Sequence, residues 1–315
     1  MQFPKISIVT PSFNQGKYIE HTILSIINQV YPNVEYIIID GGSTDETIDI
    51  IKKYEDRITY WVSEPDKGQS DAINKGLAKC TGEIFNWINS DDYLEPGALH
   101  VIAKAFMENK DALQVSGYTR IFNDATNTTV LLHRCELFEN TETTVVQQRI
   151  NQPGAFYRSS IFSEIGKINM DLVYVMDLEL WLRFLSRFGQ QKIVLLNNTV
   201  AHFRIHTNSK TNEFEIRFRK ESEGLNHHIL AELKCDKALV NYFVGNENYH
   251  PTQWQYAAID TNRFISAIAK QYFYAFYKAK NYKATKIAMK QMLRERKFVY
   301  SWNNFRIILK IYFGI

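Results

Sequence analysis

The chain has 315 residues, of which 45% are hydrophobic and 23% charged, and its formal net charge is +3. These ordinary globular values exclude a disordered, collagen-like or coiled-coil protein, and the length fits one large domain with a smaller addition. The three cysteines, Cys80, Cys135 and Cys235, form no Cys-x-x-Cys pair, which argues against a disulfide framework and a thiolate zinc site. The first residues lack the pattern of a secretory signal, and no apolar run is long enough to cross a membrane, so we expect a cytoplasmic protein.

The first third of the chain alternates short apolar runs with helical patterns. Strands are predicted at 5–10, 34–39, 58–62 and 83–88, and helices at 18–27, 44–54 and 70–79. Strands that alternate with helices in this way form βαβ units around a mostly parallel sheet, which places the protein in the α/β class. Ligands of such open sheets bind at the carboxyl ends of the strands. We therefore expect the site in the polar segments that follow them, at 10–16, 40–45, 63–71 and 89–93.

The rest of the chain is mixed up to residue 214 and helical beyond it. Strands are predicted at 113–118, 130–132 and 193–203, and a helix at 176–188. No nucleic-acid recognition motif occurs, so no nucleic-acid partner is expected.

The C-terminal segment is strongly basic. Residues 270–315 carry eleven Lys or Arg and one acid, Glu295, so their net charge is +10 and that of residues 1–269 is −7. Twelve aromatic residues are interleaved with these cations, a composition typical of helices that lie on a membrane surface. The alternative is a helical hairpin that turns near Asn281 and packs its aromatic side chains on the rest of the protein.

The strongest chemical signal is Asn89-Ser90-Asp91-Asp92, directly after the fourth predicted strand. Adjacent carboxylates at such a position can hold a divalent cation together with substrate phosphates. The alternative is a polar turn ahead of the helix that Pro96 begins.

The other polar segments offer groups that suit a nucleotide. Asp40 ends the second strand and precedes two glycines, which let a ligand approach the backbone. The run Thr10-Pro11-Ser12-Phe13-Asn14 supplies hydroxyls and an amide that can line a nucleotide site or cap the next helix. In the segment 66–76, Asp71 and Asn74 share one helix face.

Together these segments resemble the inverting glycosyltransferases of family 2, which have the GT-A fold. The matching motifs are Thr10 to Asn14, Asp40-Gly41-Gly42-Ser43-Thr44-Asp45, Asp66 to Gly76 and Asn89 to Asp92, in the family's order and at its spacing. The resemblance covers residues 4–210 and is strongest over 4–100. It implies a catalytic domain at 1–214, with a nucleotide-sugar half at 1–100 and an acceptor half at 101–214. A helical, basic extension follows at 215–315.

The resemblance also implies a nucleotide-diphospho-sugar donor, Mg²⁺ or Mn²⁺ as the cofactor, and a glycan or lipid-linked acceptor in polysaccharide biosynthesis. With such an acceptor, the basic tail would make a peripheral contact with the inner face of the membrane. The residues expected to contact the nucleoside or the donor sugar are Thr10, Pro11, Ser12, Asn14, Asp40, Asp71, Asn74 and Asp91, and Asp92 is expected to hold the metal. Gly41 stands where many members have a second acid, so the base contact of that acid does not carry over. The nucleotide therefore stays open, with uridine the commoner choice.

Inversion at an anomeric carbon needs a base that takes the proton of the acceptor hydroxyl. The segment Met176-Asp177-Leu178-Glu179 resembles the family's base-bearing segment, which implies Asp177 as the base and Glu179 as the runner-up. Met176 replaces the first Glu of the usual pattern. The alternative role for Asp177 is to cap an amphipathic helix.

Two further segments extend the implied site. Arg204-Ile205-His206 resembles a family Arg-x-His segment that is followed by Ser, here Ser209. His206 is expected to complete the metal site or contact the diphosphate, and Arg204 to neutralise phosphate charge. Gln152 is expected to touch donor or acceptor and Trp181 to offer its ring to a sugar, unless both are packing residues.

Two other functions compete with this interpretation. A sugar nucleotidylyltransferase would need a Gly-rich, basic phosphate loop after the first strand, which residues 10–16 do not supply. A catalytically inactive protein of the same fold would bind the nucleotide sugar or a carbohydrate without turnover. The acids Asp91, Asp92 and Asp177 argue against that protein, whereas Met176 and Gly41 favour it.

Overall fold

The computed structural model describes residues 3–207, 215–243, 245, 249–251, 253–294, 304, 306, 307 and 310. The strands are β1 Ile6–Ser12, β2 Val34–Asp40, β3 Tyr60–Ser63, β4 Ile84–Trp87, β5 Tyr93–Leu94, β6 Gln114–Asn123, β7 Thr129–His133, β8 Ala155–Arg158 and β9 Ile193–Ile205. The helices are α1 Gly16–Ile27, α2 Thr47–Lys53, α3 Gln69–Leu77, α4 Ala98–Glu108, α5 Thr141–Gln147, α6 Ile161–Ile165, α7 Met176–Phe188, α8 Glu215–Glu232, α9 Lys237–Val240, α10 Thr261–Lys278 and α11 Tyr282–Arg294. The elements predicted in the first third are all present, with ends that differ by a few residues.

Within the described residues, the strands form one sheet in the order β3-β2-β1-β4-β8-β6-β9-β5, and β7 pairs with β6. The first four strands are parallel, and β9 runs parallel to β6. β8 runs antiparallel to both of its neighbours, so β6 and β9 point the same way as β1 to β4. The predicted α/β class with a mostly parallel sheet is confirmed. The carboxyl ends of β1, β2 and β4 consequently meet at one edge.

The central strands are buried on both faces, which explains why their sequences are apolar without alternation. Ile8 packs into the core formed with α1 and α4, and its neighbour Val9 packs into the core on the opposite face. Strand β1 continues beyond the predicted end, because Ser12 still pairs with Asp40 of β2. Pro11 and Ser12 are therefore held by the sheet rather than by a free loop.

The C-terminal helices pack on the same face as α7. Leu225 of α8 and Phe264, Phe273 and Phe276 of α10 are buried in the core that also holds Trp181. Helices α10 and α11 form the predicted hairpin, and the side chain of Asn281 at its turn accepts the backbone N–H of Ala284 at 3.1 Å. Within the described residues, the structure favours the packed hairpin over a membrane-facing one, because its central aromatic rings are covered.

Most of the remaining tail, with Trp302 among its aromatic residues, lies outside the described residues, as do Asn208 and Ser209 of the predicted Arg-x-His segment. A search of the described helices finds none that is long and apolar enough to span a bilayer. Contact of the tail with a membrane surface stays a prediction.

Candidate active site

A cavity of about 640 Å³ opens at the carboxyl ends of β1, β2 and β4. Side chains from the strand ends, from the start of α7 and from α8 line it. The residues predicted from sequence that lie in its wall are Pro11, Ser12, Asp91, Gln152, Asp177 and His206. The hydroxyl of Ser12 is buried and has no hydrogen-bond partner among the described residues.

Asp91 and His206 form a pair in the wall of the cavity. Asp91 lies on the tight turn after β4, and His206 directly follows β9. Tyr93 of β5 pairs with His202 of β9, which brings this turn beside the end of β9. His206 Nε2 lies 3.0 Å from Asp91 Oδ2. In an octahedral site, two adjacent ligand atoms that each lie about 2.1 Å from the cation are about 3.0 Å apart. The separation of this donor pair therefore fits Mg²⁺ or Mn²⁺.

The role of Asp92 as the metal ligand stays a prediction, and in this structure its carboxylate bonds to the backbone instead of facing the cavity. Its side chain is 1% exposed and does not line the cavity. Its Oδ1 accepts the backbone N–H of Arg204 at 3.0 Å, and its Oδ2 accepts the Asn89 amide at 3.2 Å. Burial raises the pKa of this carboxyl. Asp92 joins the turn after β4 to β9, and Asp91 takes the place beside His206.

Arg204 also has a supporting position rather than the predicted phosphate contact. Its Nη1 donates to Asp124 Oδ1 at 2.5 Å, and its Nε donates to the carbonyl of Asp91 at 2.9 Å. Its Nη2 lies 3.1 Å from His21 Nδ1. The guanidinium group does not line the cavity. Its contacts stabilise the backbone that carries Asp91.

Asp177 lies in the first turn of α7 and lines the cavity. Its Oδ1 accepts the backbone N–H of Leu178 at 2.8 Å. Burial raises the pKa of Asp177, and the negative charge of Glu221 adds to that rise. A carboxylate with a raised pKa in a cavity wall has the properties of a general base.

Glu179 and Trp181 are corrections to the sequence predictions. Both side chains are fully buried and neither lines the cavity. Glu179 Oε1 lies 2.8 Å from Arg183 Nε in a buried ion pair and accepts the hydroxyl of Tyr249 at 3.1 Å. Trp181 packs in the core between the sheet and the C-terminal helices. Glu179 lies on another face of α7, which turns toward the protein interior, and Trp181, one turn after Asp177, is covered by the core.

Asp40 and Asn14 hold loops instead of facing the cavity. Asp40 is fully buried, and its Oδ2 accepts the N–H groups of Gly42 and Ser43 at 3.0 and 2.8 Å. The Oδ1 of Asn14 accepts the N–H of Thr44 at 2.9 Å, and its own N–H donates to Ser43 Oγ at 2.7 Å. The direct contacts of these two residues with the nucleoside stay predictions, since in this structure their side chains bond to nearby loop groups. They fix the loop after β2, which reaches the cavity through Gly41.

Thr10, Asp71 and Asn74 are likewise outside the cavity wall. Thr10 is fully buried within β1, and its hydroxyl accepts that of Tyr36 at 3.2 Å. Asp71 accepts the N–H of Lys67 at 3.0 Å. The amide of Asn74 donates to the carbonyl of Ile168 at 2.8 Å and accepts its N–H at 3.0 Å. The shared helix face of Asp71 and Asn74 thus serves the protein's own backbone.

Several cavity residues were missed by the sequence analysis. Asp66 lines the cavity beside Gly41, and a Cβ placed on Gly41 would lie 2.7 Å from Asp66 Oδ2. Because residue 41 has no side chain, the Asp66 carboxylate can lie close to its backbone. The glycine at position 41, where many family members have an acid, was the sequence feature that could have pointed to Asp66. Phe13, Tyr174 and Phe218 also line the cavity. Phe218 gave no signal, because it lies beyond the region that resembles the family.

Gln152 lines the cavity but also holds its wall together. Its amide donates to the carbonyl of Trp87 at 2.8 Å and to Asn86 Oδ1 at 3.3 Å. Its side-chain oxygen is the group left to meet a ligand.

The family model described as Glycosyl transferase family 2 matches residues 7–166, about half of the chain. The putative teichuronic acid biosynthesis glycosyltransferase TuaG of Bacillus subtilis is 29% identical over 220 residues, which are 65% of this chain and 81% of TuaG.

Solved structures share the fold. The structure of S. aureus TarS 1-349 in complex with UDP-GlcNAc has a TM-score of 0.58 at 16% identity, over 94% of this chain and 93% of that one. In a longer TarS crystal structure the match covers 43% of that chain. The mannosyltransferase PcManGT from Pyrobaculum calidifontis, in complex with GDP-Man and Mn²⁺, has a TM-score of 0.56 at 15% identity, over 100% of this chain and 82% of that one.

Proposed function

The chain belongs to glycosyl transferase family 2, and on that basis we propose that it transfers a sugar from a nucleoside-diphosphate sugar to an acceptor hydroxyl, with inversion at the anomeric carbon. One observation carries the proposal. A single cavity wall holds both the Asp91–His206 pair, which suits the diphosphate end of a donor, and Asp177, which suits the deprotonation of an acceptor. An arrangement with only the first pair would suit binding alone.

Asp91 and His206 would hold Mg²⁺ or Mn²⁺. Within the described residues no group of three or more His, Cys, Asp and Glu side chains could enclose a metal by itself. Two protein ligands are the number expected when substrate phosphates complete the coordination. When bound, the cation would stabilise the negative charge of the departing diphosphate. The similar fold of PcManGT, whose structure contains Mn²⁺, supports this assignment.

The donor that we favour is a UDP-sugar. TarS binds UDP-GlcNAc with a similar fold, whereas PcManGT binds GDP-Man, so the fold accepts either nucleotide. The carboxylate of Asp66, beside Gly41, can accept an N–H group of a base. The free hydroxyl of Ser12 can hydrogen-bond to the nucleoside, and the ring of Phe13 offers an apolar contact.

In the proposed reaction, Asp177 accepts the proton of the acceptor hydroxyl. The oxygen of that hydroxyl forms a bond to the anomeric carbon, and the bond from this carbon to the diphosphate oxygen breaks with its electron pair. The nucleoside diphosphate leaves, and the new glycosidic bond lies on the opposite face. The raised pKa of Asp177 makes its ionised form a stronger base than an exposed carboxylate.

The acceptor that we propose is a glycan or a lipid-linked sugar in the synthesis of a polysaccharide. The name of the Bacillus relative points to such a pathway. We also propose that the catalytic domain predicted at 1–214 is completed by α8, which contributes Phe218 to the cavity wall, and that basic residues of the extension at 215–315 bring the protein to a membrane surface.

The first test is the release of nucleoside diphosphate from UDP-, GDP- and dTDP-sugars, with Mg²⁺, with Mn²⁺ and with EDTA. We expect release from one UDP-sugar, a further increase when a glycan acceptor is added, and loss of both with EDTA. Donor binding is measured in parallel by calorimetry. Binding of a nucleotide sugar without release in the presence of an acceptor panel would favour the inactive binding protein. The absence of binding to all donors would contradict the proposal.

A further inference from the structure

The segment that leads into the base-bearing helix is held by a carboxylate from the C-terminal extension. Glu221 of α8 accepts three consecutive backbone N–H groups. Its Oε1 accepts from Val173 at 3.2 Å, and its Oε2 accepts from Tyr174 at 2.8 Å and from Val175 at 3.1 Å. Val175 is the residue before α7, and its carbonyl accepts the N–H of Glu179. The carboxylate therefore binds the chain at the point where α7 begins.

Other side chains of α8 secure the same segment. Phe218 packs edge to face on Tyr174, with ring centroids 5.2 Å apart, and both rings line the cavity. Arg217 donates to the hydroxyl of Tyr174 at 2.9 Å. The segment 173–175 is thus attached to α8 through its backbone and through its aromatic side chain. Asp177 follows two residues later.

We propose that Glu221 is a positioning residue for catalysis, which places the carboxylate of Asp177 in the cavity wall by holding the backbone of residues 173–175. The inference rests on the proposed function, because it takes Asp177 as the base. Hydrogen bonds from N–H groups to an ionised carboxylate are short and about twice as strong as neutral ones. A negative charge before a helix is also favoured by the helix dipole.

Glu221 acts on Asp177 electrostatically as well. Glu221 from α8 is the charged group that raises the pKa of Asp177, and Asp177 in turn raises the pKa of Tyr157 of β8. The charge of Glu221 disfavours the ionised form of Asp177 and so raises its pKa. The base must be ionised to act, so activity falls as the pH drops through this pKa. Removal of the Glu221 charge lowers the pKa and should move the low-pH limb of kcat to lower pH.

The test uses Glu221→Gln and Glu221→Ala in the full chain. A Gln side chain can keep the two shorter bonds through its single oxygen, whereas Ala loses all three. The control is Glu223→Gln on the same helix, whose carboxylate lies 3.9 Å from Arg219 and has no recorded bond to residues 173–175. The measurements are kcat and KM across pH, UDP affinity by calorimetry, and the thermal midpoint.

We expect kcat to fall about 10-fold in Glu221→Gln and about 100-fold in Glu221→Ala, since small misplacements of a reacting group have effects of this size. UDP affinity should stay within about twofold of the unchanged protein, because the Asp91–His206 end is built from other elements. The low-pH limb should shift downward in both Glu221 variants, because both remove the charge, and Glu223→Gln should match the unchanged protein.

Two results would overturn the role of Glu221. One is a Glu221→Ala variant with unchanged kcat and pH profile. The other is a fall in kcat that is matched by equal loss of UDP affinity and of thermal stability, as a purely structural role requires. Asp177→Asn, measured alongside, distinguishes a failure of the Glu221 role from a failure of the assignment of Asp177 as the base. If that variant keeps its full kcat, the assignment of the base fails, and with it this part of the proposed function.

Discussion

The two functional ends of the cavity are built in different ways. At the proposed metal end, Asp91 and His206 follow strands of one sheet, and Arg204 and Asp92 tie their backbones together. At the proposed base end, Asp177 begins a helix whose entry is held by Glu221 of α8. The family model matches residues 7–166, which include Asp91 but not His206, Asp177 or Glu221. Both ends therefore depend on contacts between distant segments, through strand pairing at the first end and through helix packing at the second.

The largest expected effect separates the two adjacent acids at the metal end. Asp91→Ala should lower metal-dependent turnover by about 1,000-fold or more, because it removes one of two protein ligands. Asp92→Asn keeps an oxygen for the N–H of Arg204 and should retain turnover within about 10-fold. The measurement is turnover as a function of Mn²⁺ concentration.

The concentration of Mn²⁺ that gives half-maximal activity is the decisive quantity. It should be unchanged in Asp92→Asn. A large increase in that variant, with Asp91→Ala unaffected, would return the metal to Asp92 and contradict the geometry of the pair with His206.

The next effect tests the base end. Asp177→Asn should lower kcat by about 100- to 1,000-fold with UDP affinity unchanged, since only the proton acceptor is removed. In the unchanged protein, burial and Glu221 place the low-pH limb of kcat above the ordinary aspartate pKa of 3.8. Activity should fall below that limb, and the limb should vanish in the variant. A variant that loses UDP binding in proportion to kcat would show that the two ends of the cavity are not independent.

The smallest effect concerns a residue that the sequence assigned to the donor. Asn74→Ala removes both hydrogen bonds to Ile168, and we expect the free energy of unfolding to fall by about 1–3 kcal/mol. UDP affinity should not change, as Asn74 does not line the cavity. Ser12→Ala is the matched variant, with weaker UDP binding and little change in stability. Urea unfolding measures the free energy of unfolding, and calorimetry measures UDP affinity. Weaker UDP binding by Asn74→Ala, with its stability unchanged, would place Asn74 in the donor site.

The edge of the sheet that carries the site was predictable because polar residues follow each apolar strand. Asp91, Ser12 and Asp177 could be named from motifs, and they line the cavity. The choice between Asp91 and Asp92 could not be made from adjacency alone. It depends on the pairing of β5 with β9, which turns one carboxylate toward Arg204 and leaves the other beside His206. Asp40, Asn14 and Asn74 share the polar character of ligand contacts, but their bonds go to nearby backbone groups.

The sequence by itself determined the α/β architecture, the family and the loops that meet at the cavity. Those follow from local periodicity and from residues next to one another in the chain. Only the tertiary structure decided which acid faces the cavity, that Asp66 fills the space left by Gly41, and that Glu221 holds the entry to α7. These contacts join segments that are distant in sequence, and their formation depends on how the helices pack on the sheet rather than on any local pattern.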